Sequence, residues 1–179
     1  MFLYLHGFRS IGMCYKGRII FSSLPNSILP DLPYVPKLAI NLAENIIKNN
    51  NIKCIIGSSL GGYYATFLAE KYKIKSVLIN PVINAYKTLL PAIGTIPISY
   101  NKQHFFWSLD LVESLKDYKT NNINYELYLL LLQKGDNILD YKEAQERFKD
   151  SKTIIEDGGS HRFENFQSKI EIIRSFANS

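Results

Sequence analysis

The sequence contains little cysteine and no long apolar run, and both absences exclude classes of protein. Only 2 of its 179 residues are cysteines, and neither Cys14 nor Cys54 belongs to a CxxC pair of the kind found in redox and zinc motifs. Cys54 lies in an apolar stretch, where we expect a core thiol in a reducing compartment. The longest apolar run, Leu127 to Leu132, is too short to span a bilayer. No basic segment followed by an apolar one opens the chain, so the expected location is cytoplasmic.

The sequence also lacks concentrated charge of one sign. The formal net charge is +5, but the lysines are scattered, and no block of roughly five like charges occurs. We therefore expect no nucleic-acid partner and no membrane partner. The sequence has no dinucleotide fingerprint and no cluster with metal-ligand spacing, so we expect no cofactor and no metal. The sequence leaves the oligomeric state open.

Short apolar runs alternate with longer amphipathic stretches. This alternation predicts the α/β class, with a mostly parallel sheet of about six strands and helices on both faces. The segment from Arg18 to Leu29 fits either a strand at Ile19–Phe21 or a helix followed by a short strand near Ser27–Leu29, and we favour the second interpretation. The other predicted strands are Phe2–Leu5, Lys53–Ile56, Ser76–Ile79, Glu126–Leu132 and Thr153–Ile155, and the predicted helices are Pro36–Lys48, Gly61–Tyr72, Tyr141–Phe148 and Glu164–Phe176.

The segment Gly57-Ser58-Ser59-Leu60-Gly61 matches the pattern G-x-S-x-G. A predicted strand enters this segment and a predicted helix leaves it, which is the strand–turn–helix context of a nucleophile elbow. The glycines allow the tight turn that projects the hydroxyl above the sheet. The pattern therefore predicts Ser59 as a nucleophile. The alternative is a turn in which Ser59 only caps the following helix.

A serine nucleophile needs a base, and the base needs a carboxylate partner. The chain order serine, acid, histidine favours His161, because it follows the last predicted strand and precedes the last predicted helix. Asp136 comes directly after the strand Glu126–Leu132 and is the predicted acid. Asp140 is its rival, although a helix cap at Tyr141 would also explain that residue.

The negative charge formed during acyl transfer requires N–H donors that already point at it. One predicted donor is the backbone N–H of Leu60, directly after the nucleophile. The other is the N–H of Phe8, in the loop that follows the first strand. We interpret His6 in the same loop as structural, with a role as general base as the alternative.

The segment from Tyr86 to Asn124 is longer than an ordinary connection between helices and strands. It is rich in aromatic residues. We expect a single domain over residues 1–179 in which part of residues 86–124 forms a small cap above the active site. An insertion that merely packs its own aromatic rings is the alternative.

Several blocks of the sequence together resemble the YqiA-like esterases, in the family's order and over nearly the whole chain. They are Tyr4–Phe8, Pro30–Pro33, Gly57–Thr66, Ile79–Pro81, Gly135–Asp136 with Leu139–Tyr141, and Gly158–His161 with Phe163 and Phe166. The resemblance implies a compact bacterial α/β-hydrolase that cleaves carboxylic esters or thioesters without a cofactor. It also implies a triad of Ser59, Asp136 and His161. The chain departs from its relatives at Arg9–Met13, where they carry more serine and proline.

These observations favour a serine esterase that acts on a small acyl ester or thioester. An acyltransferase or a C–C hydrolase on the same triad is one alternative. A binding protein of the same fold with a vestigial triad is another.

Overall fold

The centre of the molecule is a six-stranded parallel sheet with the strand order β2-β1-β3-β4-β7-β8. The structure is a computed structural model, and it describes residues 1–97 and 104–179. The strands are β1 (Phe2–Leu5), β2 (Ser27–Ile28), β3 (Cys54–Ser58), β4 (Lys75–Ile79), β5 (Gly94–Pro97), β6 (His104–Trp107), β7 (Tyr128–Gln133) and β8 (Lys152–Glu156). The α-helices are α1 (Tyr15–Ser23), α2 (Pro36–Asn49), α3 (Leu60–Tyr72), α4 (Ala85–Leu89), α5 (Leu109–Ser114), α6 (Tyr141–Arg147) and α7 (Ile170–Asn178).

Side chains of each central strand alternate between two apolar clusters, one on each face of the sheet. In β1, Leu3 and Leu5 pack with residues of α2 and α3, such as Ala43 and Leu68. Phe2 and Tyr4 belong to the opposite cluster, which also contains Ile20 of α1 and Ile173 of α7. The strands are buried on both faces, which is why they read as continuous apolar runs. The predicted α/β architecture with helices on both faces is confirmed.

The ambiguous segment near the N-terminus forms a helix and then a short strand, so the favoured interpretation is confirmed. Helix α1 ends at Ser23, and Ser27 and Ile28 pair with β1.

The predicted helix from Glu164 is wrong at its start. Asn165 has a φ of 55°, a left-handed conformation that interrupts a helix. A 3₁₀ turn follows at Phe166–Lys169, and only then does α7 begin.

The predicted strand Glu126–Leu132 is also shifted. A 3₁₀ turn occupies Tyr125–Leu127, and β7 extends from Tyr128 to Gln133.

Among the described residues, no helix has the length and apolar character needed to cross a bilayer.

The long segment 86–124 carries the antiparallel pair β5–β6, followed by α5. Residues 98–103 of this segment lie outside the described residues. Trp107 of β6 is fully buried, and its ring lies 4.9 Å from that of Phe8. Phe105 stacks on Tyr34, with ring centroids 5.3 Å apart. The segment therefore packs against the loops that follow β1 and β2.

Candidate active site

Ser59 lies in a strained turn between β3 and α3. Its φ and ψ are 55° and −122°, a region that a residue with a side chain rarely adopts and that costs about 1–3 kcal/mol. Backbone hydrogen bonds on both sides of the residue hold the turn. The N–H of Ser59 donates to the carbonyl of Ile79 at 3.1 Å, while its own carbonyl accepts from the N–H groups of Gly62 at 2.9 Å and Val82 at 3.1 Å.

Close packing explains the two glycines of the elbow motif. A Cβ on Gly61 would lie 2.0 Å from the carbonyl oxygen of Leu5, and a Cβ on Gly57 would lie 2.4 Å from the carbonyl oxygen of Gly61. Real Cβ atoms do not approach backbone that closely. The N-terminal turn of α3 can therefore lie directly on β1 and β3 only because these positions lack side chains.

The structure brings Ser59, His161 and Asp136 together in one chain of hydrogen bonds. His161 Nε2 lies 3.0 Å from Ser59 Oγ, and His161 Nδ1 lies 2.7 Å from Asp136 Oδ2. The side chain of Asp136 is only 2% exposed and that of His161 is 21% exposed. Because Nδ1 donates its proton to the carboxylate, Nε2 has a free lone pair facing the serine hydroxyl.

The carboxylate of Asp136 is held on both oxygens. Oδ2 faces His161, while Oδ1 accepts from the N–H groups of Ile138 and Leu139, each at 2.9 Å. Burial by itself raises the pKa of this carboxyl. The hydrogen bonds from His161 and from the two backbone groups outweigh burial and hold the pKa below its usual value. The group is therefore ionised at neutral pH and cannot turn away from the histidine without losing those bonds.

Asp140, the rival acid, lies at the start of the next helix. Its Oδ1 accepts from the N–H of Lys142 at 3.0 Å and caps α6. A cap of this kind satisfies one of the backbone donors that the first helical turn leaves free. The structure therefore places Asp136, and not Asp140, against His161.

The two predicted N–H donors, Leu60 and Phe8, lie on chain segments that adjoin Ser59. Leu60 begins α3 directly after the serine, and Phe8 lies in the turn after β1. Within residues 1–97 and 104–179, neither N–H has a hydrogen-bond acceptor. Gly7 lets the two loops touch, because a Cβ there would lie 3.0 Å from Ser59 Cβ and 3.5 Å from Ser59 Oγ.

His6 fixes the position of this loop. It is buried, its Nδ1 donates to the carbonyl of Gly7 at 2.8 Å, and its Nε2 accepts from the N–H of Leu32 at 2.8 Å. Burial lowers its pKa, and both ring nitrogens are satisfied in the neutral form. These contacts support the structural interpretation of His6 over a role as general base.

Two buried polar residues that the motif analysis left without a role hold the loop that carries His161. Asn80 follows β4, and its Nδ2 donates to the carbonyl of Ser160 at 3.1 Å while its Oδ1 accepts from the N–H of Gln133 at 3.0 Å. Gln133 ends β7, and its Oε1 accepts from the N–H groups of Ser160 at 3.1 Å and Glu164 at 2.8 Å. In the sequence, the signal for both residues was a polar side chain directly at the end of an apolar strand.

A small, largely apolar cavity lies beside the two candidate N–H donors. Its volume is about 20 Å³, close to that of one water molecule. Leu60, Tyr64, Phe8, Pro33 and Tyr34 form most of its apolar wall.

In the described part of the chain, no group of three or more His, Cys, Asp or Glu side chains is arranged to hold a metal ion.

Solved structures with a similar fold come from several organisms. A putative hydrolase from Agrobacterium vitis S4 matches with a TM-score of 0.77 and 16% identity over 98% of this chain and 87% of that one. Mouse alpha/beta hydrolase domain-containing protein 10 matches with a TM-score of 0.73 and 15% identity over 99% and 89% of the two chains. Est1E from Butyrivibrio proteoclasticus, solved with ferulic acid bound, matches with a TM-score of 0.72 and 12% identity over 98% and 86%.

These likenesses establish the α/β-hydrolase fold that the sequence predicted. The family model described as "Uncharacterised protein family (UPF0227)" matches residues 1–178. That family is the one indicated by the sequence motifs. The chain therefore belongs to UPF0227, the YqiA family of α/β-hydrolases.

Proposed function

We propose that this protein is a serine hydrolase that cleaves esters or thioesters of small acyl groups through an acyl-enzyme on Ser59. One observation carries the proposal: the chain of hydrogen bonds from Ser59 Oγ through His161 to the buried carboxylate of Asp136, with distances of 3.0 Å and 2.7 Å. This arrangement joins a nucleophile, a base and the group that orients the base.

The first half of the reaction forms the acyl-enzyme. Ser59 Oγ attacks the carbonyl carbon of the substrate while His161 Nε2 takes the hydroxyl proton. The resulting imidazolium is stabilised by Asp136, and the oxyanion accepts hydrogen bonds from the N–H groups of Leu60 and Phe8. His161 then gives its proton to the leaving oxygen or sulfur, and the bond from that atom to the carbonyl carbon breaks.

The second half releases the acid. A water molecule attacks the acyl carbon while His161 Nε2 takes one of its protons, and the bond to Ser59 Oγ breaks as the proton returns to the serine. No external oxidant, reductant or metal is needed for the atoms and charges to balance. The low pKa of Asp136 keeps the carboxylate charged through both halves, so it can stabilise the imidazolium twice in each turnover.

Two further observations support an ester substrate, and the first of them favours a short acyl group. The apolar cavity beside Phe8 and Leu60 has a volume of about 20 Å³, so a fatty-acid chain would displace far more of its wall than an acetyl group would. Esterases and lipases occur among the similar structures, including Est1E with ferulic acid and a monoacylglycerol lipase from Paleococcus ferrophilus.

We also propose that the part of residues 86–124 that packs on Phe8 and Tyr34 forms the cap over this cavity.

The test is a comparison of two adjacent serines. Ser59→Ala removes the nucleophile, and losses of this kind in serine hydrolases are on the order of 10⁴- to 10⁶-fold in kcat. Ser58→Ala is the matched control, and we expect it to keep most of the wild-type rate with p-nitrophenyl acetate. Turnover by purified Ser59→Ala at the wild-type rate would refute the proposal.

A further inference from the structure

A second and larger cavity lies between the start of α1 and the loop that carries His161, and three cationic side chains line it. Its volume is about 770 Å³, and one wall consists of residues 14–16 and 18, at the start of α1. The other wall consists of Ser160 and residues 162–165, which flank His161 in the chain. We call this cavity the basic groove. Its cationic lining residues are Lys16, Arg18 and Arg162, and its one acidic lining residue is Glu164.

The three cations of the basic groove lack acidic partners. Within residues 1–97 and 104–179, none of Lys16, Arg18 and Arg162 forms an ion pair, although six other lysine or arginine residues there do. Arg18 makes one long hydrogen bond, 3.5 Å, to the carbonyl of Met13. The guanidinium groups of arginine bind carboxylates and phosphates well because their planar N–H donors match the oxygen pairs of those anions.

Lys16 is the buried member of the group. The residue is 8% exposed, and its Nζ donates one hydrogen bond, of 2.7 Å, to the carbonyl of Arg162. An ammonium group has three N–H donors, so two remain without a protein acceptor among the described residues. Burial lowers the pKa of Lys16, and the nearby charge of Arg162 lowers it further, whereas Cys14 and Asp136 raise it. A buried cation without an ion-pair partner is costly unless an anion reaches it.

The position of the groove indicates which part of a substrate would lie near it. In the proposed reaction His161 Nε2 protonates the leaving atom, so the leaving group must lie against the histidine. Ser10 lines both the groove and the small cavity beside Phe8 and Leu60, and the chain neighbours of His161, Ser160 and Arg162, line the groove. The two cavities thus meet at Ser10, and three cations line the groove, whereas one, Arg9, lines the small cavity.

We infer that the basic groove binds an anionic group, a carboxylate or a phosphate monoester, carried by the alcohol or thiol part of the substrate. This inference rests on the proposed hydrolase function and defines its substrate class. The anion interacts with the guanidinium groups of Arg18 and Arg162 and accepts hydrogen bonds from the free donors of Lys16. Glu164 opposes an anion, but the three cationic side chains outnumber it. The net charge of the lining therefore favours an anionic leaving group over a neutral one.

The test compares acetyl esters of three 4-alkylphenols that differ only in the group at the end of the alkyl chain. The carboxylate probe is 3-(4-acetoxyphenyl)propanoate, the neutral probe is its amide, and the phosphate probe is 2-(4-acetoxyphenyl)ethyl phosphate. We expect the wild-type kcat/KM to be about tenfold higher for at least one anionic probe than for the amide, as one or two charge-assisted hydrogen bonds would give. The probe with the larger advantage identifies the anion.

Variants locate the preference in the groove. Arg162→Gln and Lys16→Met should each reduce the ratio of kcat/KM for the preferred anionic probe over the amide by about tenfold, mainly through KM. Arg162→Lys should restore part of it. Lys37→Gln is the control, because Lys37 is an exposed residue of α2 and its loss changes the net charge equally; its ratio should equal the wild-type ratio.

Two outcomes overturn the inference, and they are distinguishable. If the wild type cleaves the amide but prefers neither anion, or if Arg162→Gln, Lys16→Met and Lys37→Gln all keep the wild-type ratio, the groove does not bind the leaving group and the hydrolase function stands. If the wild type cleaves none of the three probes, the proposed function fails and the inference fails with it.

Discussion

Asp136 and Asp140 lie in one short loop and have different partners. The carboxylate of Asp136 is almost fully buried and is shared between His161 and two backbone N–H groups. The carboxylate of Asp140 faces the first turn of α6 and accepts from Lys142. The difference follows from the glycine before Asp136. Gly135 permits the turn that points Asp136 back toward the sheet edge. A Cβ at position 135 would lie 2.4 Å from the carbonyl oxygen of Gly159.

These partners predict opposite effects for two substitutions. Asp136→Asn keeps the shape of the side chain but can stabilise the wrong tautomer of His161, a change that costs about 10⁴-fold in kcat in serine proteases. Asp140→Ala removes a helix cap and should cost about 0.5–2 kcal/mol of stability while leaving kcat near the wild-type value. Measuring kcat and the urea midpoint of both proteins checks this. An inactive Asp140→Ala protein beside an active Asp136→Asn protein would make Asp140 the acid.

At the scale of helices and strands, the loop carrying His161 is fastened to two neighbouring strands of the sheet. Asn80 extends from the end of β4, and Gln133 is the last residue of β7; both side chains are buried and hydrogen-bonded to the backbone of the loop. Gly159 accommodates the glutamine, because a Cβ there would lie 2.2 Å from Gln133 Oε1. The imidazole is therefore positioned by the sheet as well as by Asp136.

Replacing Gln133 with Met tests this fastening. The substitution keeps the approximate size of the side chain but leaves the N–H groups of Ser160 and Glu164 without their acceptor. A displacement of His161 by about 1 Å should reduce kcat by about 10²-fold with little change in KM. Hydrogen exchange at these two amides should accelerate. Gln167→Met, at an exposed position of the following 3₁₀ turn, is the control; an equal loss in both variants would contradict a positioning role for Gln133.

The sequence predicted those helices and strands whose patterns are local. The apolar runs of β1 and β4 and the strand–turn–helix order of β3 and α3 are each readable within a few residues, and they are confirmed. The start of the last helix was missed because Asn165 adopts a left-handed conformation, which no periodicity of apolar residues reveals. Asn80 and Gln133 had no assigned role because their partners are about 30 to 80 residues away in the chain.

On the scale of the whole molecule, the candidate site lies where the carboxyl ends of the parallel strands meet. Phe8 follows β1, Ser59 follows β3, Asp136 follows β7 and His161 follows β8. Parallel strands bring all their carboxyl ends to one edge of the sheet, which is where ligands bind in open α/β folds. The chain order of the motifs was therefore enough to predict that these residues meet, but not how large a space they enclose.

The space enclosed beside the candidate site predicts which acyl groups are accepted. The apolar cavity near Phe8 and Leu60 has room for about one water molecule, so every methylene of the acyl group moves its wall further. We therefore expect kcat/KM to be highest for acetyl to butyryl esters and to fall by at least about tenfold for the C16 ester. A series of p-nitrophenyl esters of increasing chain length measures this. Faster hydrolysis of emulsified long-chain lipid than of soluble short-chain esters would contradict the expectation.

The most direct test of the account is covalent labelling of the nucleophile. A fluorophosphonate reacts with a serine that a neighbouring histidine activates and leaves a phosphonyl group on its oxygen. We expect peptide mass spectrometry of the labelled wild-type protein to find one such group, on Ser59, and to find labelling strongly reduced in the Asp136→Asn protein. Labelling of another serine, such as Ser58, or no labelling of the folded wild-type protein would contradict the assignment of Ser59 as the nucleophile.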